Sequence, residues 1–258
     1  QFLKRSKKNK NEDQILHVIY DLTFASISYD FAFFLAAAEA YGNMHLVTKI
    51  HLTIIKPKTG VSTSHNWTEY LSSVSIESMD WRINHMLIPI ITISPSVVSY
   101  SVVPNSSSIA IQASNNLVFP EGYGDLHNPI PHYDYVFRML GEHDFHGFHP
   151  SEQAKIYVKQ WLASKKITSK IISITIRDYK YDASRNSAFQ SWVDFADYLE
   201  KDGYSVIFIP DLENCWDDKY KEIKQYSFSE ICWNLELRTA FYELCELNYF
   251  YSSGISTL

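Results

Sequence analysis

The chain has 258 residues, 46% of them apolar and 20% charged, with a formal net charge of −6. That length can bury one large core or two modest ones, and the negative balance excludes a broad nucleic-acid surface, which needs a basic face. No apolar run approaches the roughly 20 residues that span a bilayer, and three cysteines without CxxC spacing argue against a disulfide framework and for a reducing, cytoplasmic setting.

The basic residues Lys4, Arg5, Lys7, Lys8 and Lys10 gather at the front. With no apolar segment behind them they are not a secretory signal. Residues 1–12 therefore read as a solvated basic tail, with a peripheral contact to anionic lipid at the inner membrane face as the sharper alternative. Ile15 to Asp21 is a short apolar run, as expected of a buried parallel strand. Tyr29 to Tyr41 holds good helix formers, with Gly42 placed to cap its end. Lys49 to Ile55 predicts a second strand, stopped by Pro57 and Gly60. Met79 to Leu87 predicts a second helix, which Ile88 to Ile93 extends past Pro89 or leaves as a separate element. Val97 to Val103 predicts a third strand. Residues 13–125 thus form one β-α-β-α-β unit with a parallel sheet.

From Asn115 to Pro150 the texture changes, with eight prolines and glycines among His and Tyr residues. Residues 126–150 are expected to connect two domains. A second unit, 151–258, follows. Ser151 to Lys165 predicts an amphipathic helix with Ala154, Tyr157, Val158, Trp161 and Leu162 on its inner stripe. Strands are expected at Ile171 to Ile176, Tyr204 to Ile209 and Tyr249 to Ser252. Helices are expected at Ala188 to Lys201, with Trp192, Phe195, Ala196 and Leu199 inward, and over most of Phe228 to Glu246. The chain has no initiator Met and stops just after the last expected strand, so it is read as truncated.

In open parallel sheets, ligands bind beyond the carboxyl ends of the strands. Three loops of the second unit reach that edge. The first, Arg177 to Ser187, carries Arg177, Arg185, Asn186 and Ser187 before a helix. Guanidinium groups grip phosphate oxygens in a bidentate fork, and helix N-termini favour anions. The second holds Pro210 and Asp211. The third, Ser252-Ser253-Gly254, has small residues that let backbone approach a ligand.

Several segments together resemble a known bacterial group. They are Ile174-Thr175-Ile176-Arg177-Asp178, Arg185-Asn186-Ser187, Trp192 with Phe195, Gly203-Tyr204, Phe208-Ile209-Pro210-Asp211, then Arg238, Tyr242-Glu243, Asn248 and Ser252-Ser253-Gly254. They look like the C-terminal half of a group associated with surface-polysaccharide synthesis and similar to GT-B glycosyltransferases, distantly the fucosyltransferase-like ones. Tyr20-Asp21-Leu22, Tyr29-Asp30-Phe31 and Phe34-Leu35 resemble its N-terminal half. The resemblance implies an α/β protein of two Rossmann-like, GT-B-like domains with parallel sheets. It implies a transferase moving sugar from a nucleotide-diphosphate sugar, its co-substrate, to a glycan or polysaccharide acceptor, with no separate cofactor and no metal. The second domain would hold the donor: Arg177, which resembles a strand-end arginine on the diphosphate, with Arg185, Asn186, Ser187, Ser252, Ser253 and Gly254. Asp211, Arg238 and Glu243 would be polar groups on the donor side. The first domain would hold the acceptor. The closing loop departs from the asparagine-rich turn of related chains.

Developing charge on the leaving diphosphate calls for preorganised cations and N–H groups, and an acceptor hydroxyl calls for a base. Asp21 and Asp30, on the loop after the first strand, are the candidate bases. Blander roles compete: an Arg177–Asp178 ion pair at a strand end, and helix capping by Asp21 and Asp30. Glu142, His143, Asp144, His146 and His149 are possible metal ligands, but their spacing matches no established site and they read as a solvated linker. GxGxxG, GxxxxGKS/T and GxSxG are all missing, which disfavours dinucleotide, P-loop and α/β-hydrolase chemistry. A non-catalytic ligand-binding or assembly module and a nucleotide-sugar epimerase of the same fold stay open.

Overall fold

A computed structural model describes residues 14–56, 76–106, 117–124, 130–179 and 183–251. The basic tail and the Ser252-Ser253-Gly254 loop lie outside the described residues. The chain divides into two units: Gln1–Val74 with Ser94–Gly147, and Ser75–Ile93 with Phe148–Leu258.

In the first unit, β1 (Ile15–Asp21) pairs in parallel with β2 (Lys49–Ile55), from Ile15 opposite Lys49 to Asp21 opposite Ile55. On the far side of β2 lies β3 (Val97–Val103), and on the other side of β1 the short β4 (Val118–Phe119). The strand order is β3-β2-β1-β4. β-Branched and aromatic residues suit a pleated strand, and Leu16, Val18, Ile50, Leu52 and Ile54 are fully or almost fully buried. Each such side chain contributes about 1.5–3 kcal/mol through removal from water. The helix Asp30–Met44 packs on this sheet through Phe31, Leu35 and a row of buried alanines. Tyr20 lies between Phe31 and Phe34, with ring centroids 4.7 Å from each.

Gly42 does not cap that helix as expected. It lies inside the last turn, and Leu46 beyond the end takes the left-handed conformation at φ 63°. Gly42 is needed for a close approach instead: a Cβ there would stand 2.6 Å from the Val47 carbonyl oxygen.

The second unit repeats the plan. β5 (Ile171–Thr175), β6 (Ser205–Ile209), β7 (Tyr226–Ser227) and β8 (Leu247–Phe250) run parallel in the order β7-β6-β5-β8, the first sheet's order shifted by four. Every β5 residue is buried, as a central parallel strand requires. The helix Glu152–Ser164 begins where the Ser151 hydroxyl accepts the Ala154 N–H at 3.2 Å. It buries Ala154, Val158 and Leu162, and Trp161 stacks on Phe228 at 3.7 Å, but Tyr157 of the expected stripe faces solvent. The helix Phe189–Lys201 buries Ala196 and Leu199, with Trp192 and Phe195 packed beside them. Within the stretch expected to be mostly helix, a 3-10 turn at Ser229–Trp233 precedes the helix Leu235–Leu244.

Two findings differ from the sequence-level outline. Residues 76–92 are helical, the extension past Pro89 that the sequence allowed, but with a π-helical segment at Ile83–Leu87 between Ile76–Arg82 and Ile88–Thr92. Pro89, which has no N–H to bond into the preceding turn, lies two residues past the end of the π-helical segment, the irregularity at which a helix accommodates such a break. This run groups with the second unit, although it precedes β3 in the chain. The expected connection also contains a helix, Tyr133–Glu142, opened by His132 and packed on Asp30–Met44 through Val136 and Met139, with Phe137 edge-on to Phe33 at 5.5 Å. The flanking Pro and Gly residues masked its short periodicity. Among the described residues, no helix is long and apolar enough to cross a membrane.

Candidate ligand-binding edges

In each sheet the strand order reverses beside one strand, β1 in the first unit and β5 in the second. Parallel α/β sheets bind ligands at such a reversal, outside the carboxyl ends of the strands.

At the second sheet, Arg177 lies two residues past the end of β5 and is 7% exposed. Its backbone N–H donates to Ser187 Oγ at 2.9 Å, and the Ser187 N–H returns a bond to the Arg177 carbonyl at 2.8 Å. The guanidinium Nη1 donates to Asn186 Oδ1 at 2.7 Å, and the Tyr179 N–H shares that oxygen at 3.1 Å. Asn186 and Ser187 thus fold the loop back onto its own arginine. Arg185 ends a short 3-10 turn and is exposed. The Asp178 carboxylate is engaged by Lys219, and the Asp178 N–H donates to Asp211 Oδ2 at 3.0 Å. Asp211 also accepts the Leu212 N–H at 2.8 Å, so it ties the loops after β5 and β6 together.

Arg238 comes to the same edge from the first turns of Leu235–Leu244 and is 7% exposed. Its Nε donates to the Tyr242 phenol at 2.8 Å, and that phenol meets Thr175 Oγ1, at the end of β5, at 2.8 Å. Burial holds the Tyr242 phenol above its usual pKa, although Arg238 pulls the other way. Glu243 does not reach this edge. It lies in the last turn of its helix, near the amino end of β8, and binds Lys155 at 2.7 Å. Arg82 and Lys219 also reach these loops without having been singled out from the sequence. Arg82 Nη2 donates to the Tyr179 phenol at 2.8 Å. Their contacts depend on chain separations of 97 and 41 residues, so no local pattern marks them.

At the first sheet, β1 ends on Asp21, which is 4% exposed. One carboxylate oxygen accepts the Thr23 N–H and the other the Tyr123 phenol, both at 2.9 Å. Burial, with the Asp21 bond and charge behind it, drives the Tyr123 phenol far upward. Asp30, an exposed residue, opens the Asp30–Met44 helix, where a carboxylate complements the helix dipole. It accepts the Ser28 hydroxyl at 2.9 Å. Burial first, and then the Asp30 charge and hydrogen bond, push the Tyr133 phenol up to about 12. Neither aspartate is the helix N-cap; Tyr29 holds that position without a side-chain capping bond. Tyr133 and Phe137 are about half exposed and stacked at 6.0 Å, one helical turn apart. Rings beside carboxylates suit a hydroxyl-rich ligand, whose C–H faces pack on the rings while its hydroxyls bond the acids.

The His-rich stretch does not converge on one point. His146 Nδ1 lies 2.5 Å from buried Glu39, the Asp144 carbonyl accepts Asn43, and the His149 N–H bonds the Ile93 carbonyl. Among the described residues, no three His, Cys, Asp or Glu side chains are grouped to hold a metal.

Two α/β units with parallel four-stranded sheets of one shared strand order make this a two-domain, Rossmann-like protein, consistent with a GT-B fold. No protein-family model matches the chain, and no curated protein matches it in sequence. Among solved structures it is similar to the glycosyl transferase family 9 protein from Veillonella parvula DSM 2008, with a TM-score of 0.50 and 13% identity, over 96% of this chain and 78% of that one. At that identity the likeness is one of fold.

Proposed function

We propose that this chain is a glycosyltransferase that moves a sugar from a nucleotide-diphosphate donor to a glycan acceptor of the kind used in polysaccharide synthesis. The observation that carries the reading is the pair of oriented guanidiniums at the carboxyl edge of the second sheet, Arg177 set by Asn186 and Arg238 set by Tyr242. Fixed cations stabilise charge that develops on a leaving diphosphate, because they need no reorganisation as it forms. Arg185, Asn186 and Ser187 complete the donor loop, which Asp211 braces from the loop after β6, and Ser252, Ser253 and Gly254 are further candidate donor residues. The nucleotide sugar is a co-substrate, and the reading calls for no separate cofactor and no metal.

The first unit would take the acceptor. Its hydroxyl attacks the anomeric carbon, the sugar–phosphate bond breaks, and the hydroxyl proton passes to a carboxylate. Asp30 suits that task better than Asp21, being exposed beside the Tyr133 and Phe137 rings, whereas Asp21 is buried and already bound by Thr23 and Tyr123. The basic tail would keep the enzyme near anionic lipid on the cytoplasmic face.

A thermal-shift and calorimetric screen against UDP, GDP, ADP, CMP and dTDP and their sugars tests this reading, since a ligand that binds the folded state raises its apparent stability. One nucleotide should raise the midpoint, and Arg177→Ala should weaken its binding about 10- to 100-fold, the loss expected of a charge-assisted contact. If no nucleotide shifts the midpoint at millimolar concentration, the transferase reading falls.

A further inference from the structure

The helical run 76–92 delivers two neighbouring side chains to the loops of the second sheet. Arg82 donates to the Tyr179 phenol, and its guanidinium lies 5.9 Å from the centre of that ring. Through Tyr179 and the shared Asn186 oxygen, this contact continues directly to Arg177. Trp81, one residue earlier, is backed by His85 in a stack at 4.8 Å and meets Trp233 at 5.8 Å with the two ring planes at 90°.

Trp233 stands just ahead of Asn234, the cap of the helix that carries Arg238. Its position along the sheet is fixed by the preceding residue, whose Cys232 thiol bonds the carbonyl of Pro210, immediately after β6. Its indole nevertheless remains 54% exposed. A lone exposed aromatic needs no explanation. This one is held at a right angle by a second indole and joined, through Trp81, Arg82 and Tyr179, to the arginine loop. A diphosphate alone has no use for a π-face, but a nucleoside diphosphate does: its base stacks on an aromatic ring while its phosphates meet guanidiniums.

We infer that Trp233, held by Trp81, is the stacking face for the nucleobase of a nucleoside diphosphate bound at the Arg177 loop, and that Arg82 is a positioning residue which holds that loop through Tyr179. The inference rests on the donor-site reading above and deepens it. Base stacking tolerates any base, so the corner supplies affinity, and the choice of base falls to polar groups around it.

The test titrates the full chain by calorimetry with the nucleoside diphosphate found in the screen and, separately, with inorganic pyrophosphate. Trp233→Ala should weaken the nucleoside diphosphate about tenfold, the loss expected of one base stack, and leave pyrophosphate affinity unchanged. Trp233→Phe should recover most of the loss, and Trp81→Ala should behave as a weaker copy of Trp233→Ala. Equal losses for both ligands, or unchanged nucleoside diphosphate binding in Trp233→Ala, would overturn the stacking assignment while leaving the diphosphate site intact. Failure of the wild-type chain to bind either ligand would remove the donor-site reading and this inference together.

Discussion

Arg238 reaches Tyr242 one turn along its own helix, and Tyr242 reaches Thr175 across to the end of β5, so one phenol oxygen joins a cation to the sheet edge. The phenol is buried, and its removal takes a partner from two polar side chains at once. Leaving a buried polar group unsatisfied costs about 1–3 kcal/mol. Tyr242→Phe should therefore lower stability by about that amount in urea unfolding, with the slope of the transition unchanged. An unaltered midpoint would show that the phenol does not hold Arg238. Residues of this kind were unevenly legible in the sequence. Arg177 stood out because it directly follows a β-branched run, where a strand's carboxyl end could be placed by eye. Arg238 was found through resemblance alone, and Glu243, found in the same way, turned out to face Lys155 at the other end of its helix. Trp81 and Arg82 could not be found at all, because a helix from a distant part of the chain brings them to this edge, and Trp233 gave no sign because the ring it meets is Trp81.

At the scale of the element, the parallel strands were the clearest signal. β1, β2 and β3 take the bounds their sequence runs suggest; β1 and β2 are mostly buried, as parallel strands covered on both faces must be, whereas β3, at the sheet edge, leaves Val98, Ser99 and Tyr100 exposed. Helix ends and short elements were less legible. β7 has two residues, and the Tyr133–Glu142 helix is framed by prolines and glycines, so neither offers enough periods to register. Gly42 shows why an end signal can mislead. A glycine near the end of a helical pattern usually marks a left-handed cap, yet here the missing Cβ admits the Val47 carbonyl, whose residue donates its N–H back to the Gly42 carbonyl at 2.8 Å. Both partners in that clash are backbone, so neither can rotate away. Gly42→Ala should thus destabilise the first unit by about 1–3 kcal/mol, the usual cost of overpacking a tight site, even though alanine is the better helix former. Equal or greater stability of the variant in urea would refute the close-approach role.

For the whole molecule, the repeated parallel plan was readable in outline, as two β-α-β patterns on either side of a change in texture. The assignment of 76–92 to the second unit was not, since nothing in an apolar helical stripe says which sheet it will cover. Both units nonetheless share one electrostatic habit that makes a prediction for the entire chain. Burial, aided in the first unit by Glu121, pushes the Tyr41 phenol up to about 12, and Tyr133 is raised to a similar value. Tyr123 in the first unit and Tyr220 in the second are raised further, burial again being the largest cause. An unfolded tyrosine releases its proton near pH 10, so between about pH 10 and 12 the unfolded chain binds fewer protons than the folded one. Stability must then fall as pH rises through that window, and the contribution of these phenols is fully present below it. Urea midpoints measured at pH 9, 10, 11 and 12 should decline steadily above pH 10, with part of the tyrosinate absorbance appearing only as the chain unfolds. Tyrosinate that forms in full while the fold persists would show that these phenols are open to solvent, and that the Asp21–Tyr123 and Asp30–Tyr133 pairs do not shield the carboxyl edge of the first sheet.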